Sequence, residues 1–199
     1  MSKSELLKFS GWAFILGGFS FATILSGSDP IALAGSVISS ILLAVGILGL
    51  RARYGEYMGS FGRNILLIGV IGMVLLYMVV GYLFLMYFGV LPAIPIELPE
   101  SLWILLFGGP AVLLLVLTLF GLSALQSKPI PRLNWLPVFA GIWYPVFYFF
   151  LAGYLFAHNG VYPGQYQIAF NIIHLIQFLA LCVFGASLVT DAPQEMAAA

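Results

Sequence analysis

The chain has 199 residues, of which 62% are hydrophobic and 7% charged, whereas the water-facing surface of a soluble domain needs roughly 25% Asp, Glu, Lys and Arg. A soluble fold is therefore excluded, and the length fits a single domain of helices sharing one bilayer. Seven basic and seven acidic residues cancel, so no positive field is available to attract nucleic acid, and nucleic-acid binding is set aside.

A helix crosses the hydrocarbon layer with about 20 apolar residues, because each residue rises 1.5 Å and no unpaired backbone group can be left in lipid. Taken in chain order, the first such segment is Phe9 to Ser26. Lys3 and Lys8 ahead of it resemble a secretory leader, but Ser26-Gly27-Ser28-Asp29 lacks a small-x-small cleavage pattern, so it reads as a retained helix. The second segment, Pro30 to Leu50, starts on Asp29-Pro30, an N-cap followed by proline at the first helical position. The third, Asn64 to Val90, is long enough to call for tilt. It runs into an outer loop stiffened by Pro92, Pro95 and Pro99. Ser101 to Leu125, Trp135 to Ala157 and Tyr166 to Val189 complete the set. The expected fold is all-α: a polytopic bundle of six transmembrane helices in one domain, residues 1–190, with a short, loosely ordered cytoplasmic tail at 191–199.

Orientation follows from the basic residues, which remain on the cytoplasmic side of short loops. Lys3 and Lys8 precede the first segment, Arg51, Arg53 and Arg63 lie between the second and third, and Lys128 and Arg132 between the fourth and fifth. The opposite loops carry Asp29, then Glu97 and Glu100, then His158. Both termini are accordingly expected inside. A shift of 72 residues also aligns Gly49 to Leu85 with Gly121 to Ala157, with nine matches in 37 positions, among them Gly69 on Gly141 and Gly81-Tyr82-Leu83-Phe84 on Gly153-Tyr154-Leu155-Phe156. That match predicts a parallel repeat of helices 2 and 3 on helices 4 and 5.

Gly49-Leu50-Arg51-Ala52-Arg53-Tyr54-Gly55 through Gly62-Arg63, with Leu66-Leu67-Ile68-Gly69-Val70-Ile71-Gly72, then Leu119-Phe120-Gly121-Leu122 and Pro129-Ile130-Pro131-Arg132, form a pattern of loops and glycines. It resembles an uncharacterised family of small bacterial membrane proteins with six predicted helices. The resemblance covers the middle half of the chain. It implies a location in the bacterial cytoplasmic (inner) membrane and carries over no catalytic residue.

Every Asp, Glu, Lys and Arg falls at a segment end or in a loop, which argues against a proton relay or a carboxylate metal site at mid-membrane. Cys182 is the only cysteine, and His158 and His174 the only histidines, too few for a zinc site and poorly spaced for bis-histidine haem. Fingerprints of hydrolases, zinc proteases and nucleotide-binding loops are absent. No metal site is predicted, while the cofactor is left unassigned, a haem held by histidine with methionine staying open.

The candidate site is a polar stripe on the sixth segment: Gln167, Asn171, His174 and Gln177, with Cys182 further on, within roughly 140° of one another at 100° per residue. The stripe serves either as a ligand-contacting face or as interhelical hydrogen bonding. Its Ile172, Ile173 and Leu175 side is expected to face lipid. Tyr144 and Tyr148 in the fifth segment lie deep enough to need hydroxyl partners. Gly108-Gly109-Pro110 and Pro145 are positions where helices 4 and 5 can kink, and Gly11, Gly17, Gly18, Gly46, Gly49, Gly69 and Gly72 suit close helix contacts. These features predict a noncatalytic accessory, scaffold or assembly subunit whose partners are lipids, itself or other membrane subunits. The alternative is a small carrier or binding protein for a lipophilic or neutral ligand.

Overall fold

Hydrocarbon offers backbone N–H and C=O groups no water, and a helix pairs them within its own segment. The computed structural model describes residues 3–26, 29–57, 59–87, 99–127, 134–157 and 167–197. They form six helices: α1 Lys3–Ala22, α2 Asp29–Tyr54, α3 Gly59–Tyr87, α4 Pro99–Ser127, α5 Leu136–Ala157 and α6 Gln167–Ala197, with a 3-10 turn at Thr23–Ser26 after α1. Five stretches of these helices are long and apolar enough to cross a membrane: Ala34–Tyr54, Gly59–Val79, Gly108–Gln126, Leu136–Leu155 and Ile168–Thr190. This is the make-up of a multi-pass membrane protein. The remaining helix, α1, carries Lys3, Glu5 and Lys8 in its first two turns, which shortens its apolar part.

Several helices run past the ends that hydrophobicity marks. α1 begins at Lys3 rather than Phe9, α2 continues through Arg51 and Arg53 to Tyr54, and α6 continues to Ala197, into the segment read as a loose tail. Apolar length reports the hydrocarbon thickness, whereas backbone pairing continues wherever helix-forming residues such as Glu195, Met196 and Ala197 follow. Pro110 and Pro145 lie inside α4 and α5, which continue through them as helices. The proline-rich segment 88–98, the segment 128–133 with Lys128 and Arg132, and His158 lie outside the described residues.

Helices consecutive in the chain run antiparallel, as do α1 and α6, and glycines set the closest approaches. A Cβ placed on Gly11 of α1 would lie 2.5 Å from the Gly185 carbonyl oxygen of α6, and one on Gly18 would lie 3.3 Å from the Phe178 carbonyl oxygen. Gly49 and Gly46 of α2 seat against Ser10 and Phe14 of α1. Gly69 of α3 meets Val116 of α4, Gly121 of α4 meets Val138 of α5, and Gly141 of α5 meets Thr118 and Leu114 of α4. Residues without side chains let backbones touch, and tight packing is what associates helices in lipid. Among the described spanning stretches, Gly108–Gln126 of α4 is the most enclosed, and α4 contacts α2, α3 and α5. Its Leu113, Leu114, Leu117 and Phe120 are fully buried.

The outer surface is apolar. Phe9, Trp12, Leu16 and Phe19 on α1, and Ile68, Ile71, Leu75, Met78 and Tyr82 on α3, recur at steps of three and four and are about half exposed. Ser36, Ser39, Ser40, His174 and Gln177 are buried. Continuous apolar faces of this extent are rare on soluble monomers and normal against lipid. At one end of the bundle, where α1 starts, the described basic side chains Lys8, Arg51, Arg53 and Arg63 gather. There Arg51 Nε donates to the Arg63 carbonyl at 3.1 Å and the Arg53 guanidinium lies 5.5 Å from the Tyr54 ring centre. Gly59, at φ 65°, supplies the left-handed residue that begins α3 after this turn.

Candidate functional site: a buried polar and aromatic layer

Helix α6 splits the predicted stripe. His174 and Gln177 are fully buried, Asn171 is exposed, and Cys182 is a partly exposed free thiol. Gln167 opens the helix, and its side chain lies outside the described residues. The buried face runs His174, Gln177, Leu181, Phe184, Leu188; counting back from His174 by four reaches Phe170, and Asn171 falls to the side. Ile172 and Leu175 face outward at about half exposure, with Ile173 intermediate.

Gln177 reaches across to α5. Its Oε1 accepts from the Tyr144 backbone N–H at 3.1 Å, and its Nε2 donates to the Ala140 carbonyl. Those two backbone groups are four residues apart, the pair that an uninterrupted helix would join, so the amide enters the ladder of α5 beside Pro145. A proline there removes one backbone donor, and a side-chain amide from the next helix fixes the backbone around it.

His174 lies one turn away. Its Nδ1 is 2.7 Å from the Phe170 carbonyl oxygen. A carbonyl only accepts, so this nitrogen carries the proton and Nε2 carries a lone pair. Nε2 is enclosed and, among the described residues, has no hydrogen-bond partner. Leaving such an acceptor buried costs about 1–3 kcal/mol. Aromatic rings surround the imidazole: Phe21 of α1 stacks on it at 5.1 Å and 14°, Tyr144 meets it edge-on at 5.2 Å, and the Phe170 ring centre is 3.9 Å away.

Tyr144 is buried between Phe21, at 4.7 Å and 89°, and His174, while Tyr148 follows at 6.0 Å and is half-buried. The Tyr148 hydroxyl lies 3.0 Å from where a Cβ on Gly108 would sit, and the Tyr77 hydroxyl 2.5 Å from one on Gly109. The glycine pair of α4 thus admits two phenol heads, one from α3 and one from α5. Tyr77 O–H shares a hydrogen bond with Ser40 Oγ at 2.6 Å and reaches the Ser36 carbonyl at 3.5 Å, and Ser39 Oγ donates to the Gly17 carbonyl at 2.9 Å. One layer of the bundle is therefore polar from α1 to α6. Tyr77, Ser36, Ser39, Ser40 and Phe21 were not among the sequence candidates. The spacing of the three serines, at steps of three and four within an apolar run, is the signal that marks one buried face.

All of these groups are neutral hydrogen-bond donors and acceptors. Among the described residues no three His, Cys, Asp or Glu side chains come together to hold a metal ion. In comparison with known proteins, the chain matches no family model, no curated protein and no solved structure.

Proposed function

We propose that the protein is a noncatalytic integral membrane accessory, scaffold or assembly subunit, crossing the bacterial cytoplasmic membrane with six helices and both termini inside. The observation that carries this reading is how the interior polar groups are used. Gln177 is engaged on the α5 backbone, Ser39 on the α1 backbone, and Ser40 with Tyr77 across α2 and α3, so they join helices to one another. The location rests on the resemblance in the middle of the chain, and the orientation on Lys8, Arg51, Arg53 and Arg63 at one end. Partners are lipids and other membrane subunits, a second copy included. Gly81 and Gly153, which are exposed and have no described atom within 4 Å of a built Cβ, support assembly, since a helix glycine unused within the chain suits contact with another chain.

Extraction in a mild detergent followed by identification of copurifying proteins tests the reading. A stoichiometric membrane partner or a self-complex is expected, and a monodisperse single chain with no partner counts against it. A second reading is a small carrier or binding protein for a lipophilic or neutral ligand. One observation favours it: the enclosed Nε2 of His174 within rings from α1, α5 and α6. A ligand-dependent rise in unfolding temperature would speak for this second reading.

A further inference from the structure

We propose that His174 Nε2 is the recognition atom of a site for a neutral, hydroxyl-bearing apolar molecule lodged among α1, α5 and α6. The inference deepens the ligand reading and rests on it. Nδ1–H is held by the Phe170 carbonyl, so the imidazole presents an acceptor and no spare donor. Such an atom selects a molecule that donates. An alcohol or phenol qualifies, whereas a quinone or an ether, which only accept, does not. The walls are the faces and edges of Phe21, Tyr144 and Phe170, which suit an apolar body and hold no opposite charge to pair a carboxylate or an ammonium group.

Gln177 has both ends of its amide engaged on α5, which leaves the histidine lone pair as the unused buried polar atom of that face among the described residues. Nε2 is sealed in this conformation. Of the rings around the imidazole, Phe170 is half-buried and faces Phe147 at 5.8 Å, so entry of a ligand requires this ring to change rotamer. A shift of one half-buried ring is within ordinary rotamer motion.

The test uses the full chain in lipid nanodiscs with 15N-labelled histidine, titrated with 4-hexylphenol and, separately, with its methyl ether, 4-hexylanisole. The phenol is expected to bind saturably and to move the unprotonated-nitrogen resonance of His174 upfield, as accepting a hydrogen bond does. The ether should bind about tenfold more weakly, the factor that one hydrogen bond of about 1.4 kcal/mol supplies. Equal binding of both leaves the ligand reading standing and overturns the donor requirement. Binding of neither removes both. A resonance already at its hydrogen-bonded position before addition, and unmoved by phenol, means that water fills the site and also overturns the proposal. His174→Phe is expected to abolish the preference for phenol over ether, and an unchanged preference contradicts the assignment; the wild-type titrations decide the matter should this variant fail to fold.

Discussion

Gln177 bonds the Tyr144 N–H and the Ala140 carbonyl of a neighbouring helix, and its replacement removes this tie between α5 and α6. Gln177→Leu is expected to lower stability by about 1–3 kcal/mol, the loss of two hydrogen bonds between helices at about 0.5–1.5 kcal/mol each, read as a lower midpoint in denaturant unfolding. Tyr77→Phe removes the hydroxyl shared with Ser40. Polar contacts between helices in lipid average about 0.6 kcal/mol and reach about 1.7, so its effect should be the smaller of the two in the same measurement. The helical wheel made His174 and Gln177 legible from the sequence, since both lie on the face that continues through Leu181 and Phe184. Asn171 was not separated from them, because an arc of residues on a helix does not say where the neighbouring helix stops covering it. Tyr77 and the α2 serines escaped notice because isolated hydroxyls in an apolar run carry no chemical pattern of their own, and only the meeting of α2, α3 and α4 gives them a shared place.

At the scale of the element, α1 and α6 touch backbone to backbone at Gly11 and Gly185. Any side chain at Gly185 would meet Ile15 and the Gly11 carbonyl, so Gly185→Leu must separate the pair and should cost about 1–3 kcal/mol or more through overpacking. Gly81→Leu, at a position open to its surroundings, is the control and should leave the stability of the single chain near the wild-type value. Helix existence was readable from the length of each apolar run. Helix ends were not, because α2, α3 and α6 keep their backbone pairing beyond their apolar runs. The role of the glycines as contact points was also readable: Gly11, Gly18, Gly46, Gly49 and Gly69 each lie against another helix. Which helix each would meet was not, since that depends on the shapes of both surfaces.

At the scale of the molecule, antiparallel neighbours bring the start of α1, the α2–α3 turn and the last turns of α6 to one end. The orientation proposed from the basic residues gives a prediction. With Cys182 replaced by Ala, a cysteine at Ser60, which is exposed at the start of α3, should react with an impermeant maleimide only from the cytoplasmic face, and one at Ala157, exposed at the far end of α5, only from outside. Labelling of Ser60→Cys from outside would reverse the orientation. That Gly108–Gln126 of α4 is the most buried of the five spanning stretches could not be read from hydropathy, because its apolar run looks like the others and only packing on α2, α3 and α5 encloses it.

The measurement closest to the central claim is native mass spectrometry of the protein ejected directly from membrane vesicles, where detergent has not stripped its neighbours. A subunit of an assembly should appear as a particle heavier than the 21.6 kDa chain, as a self-complex or with another protein at fixed stoichiometry. A population made up of the 21.6 kDa single chain with bound lipid alone would contradict the account.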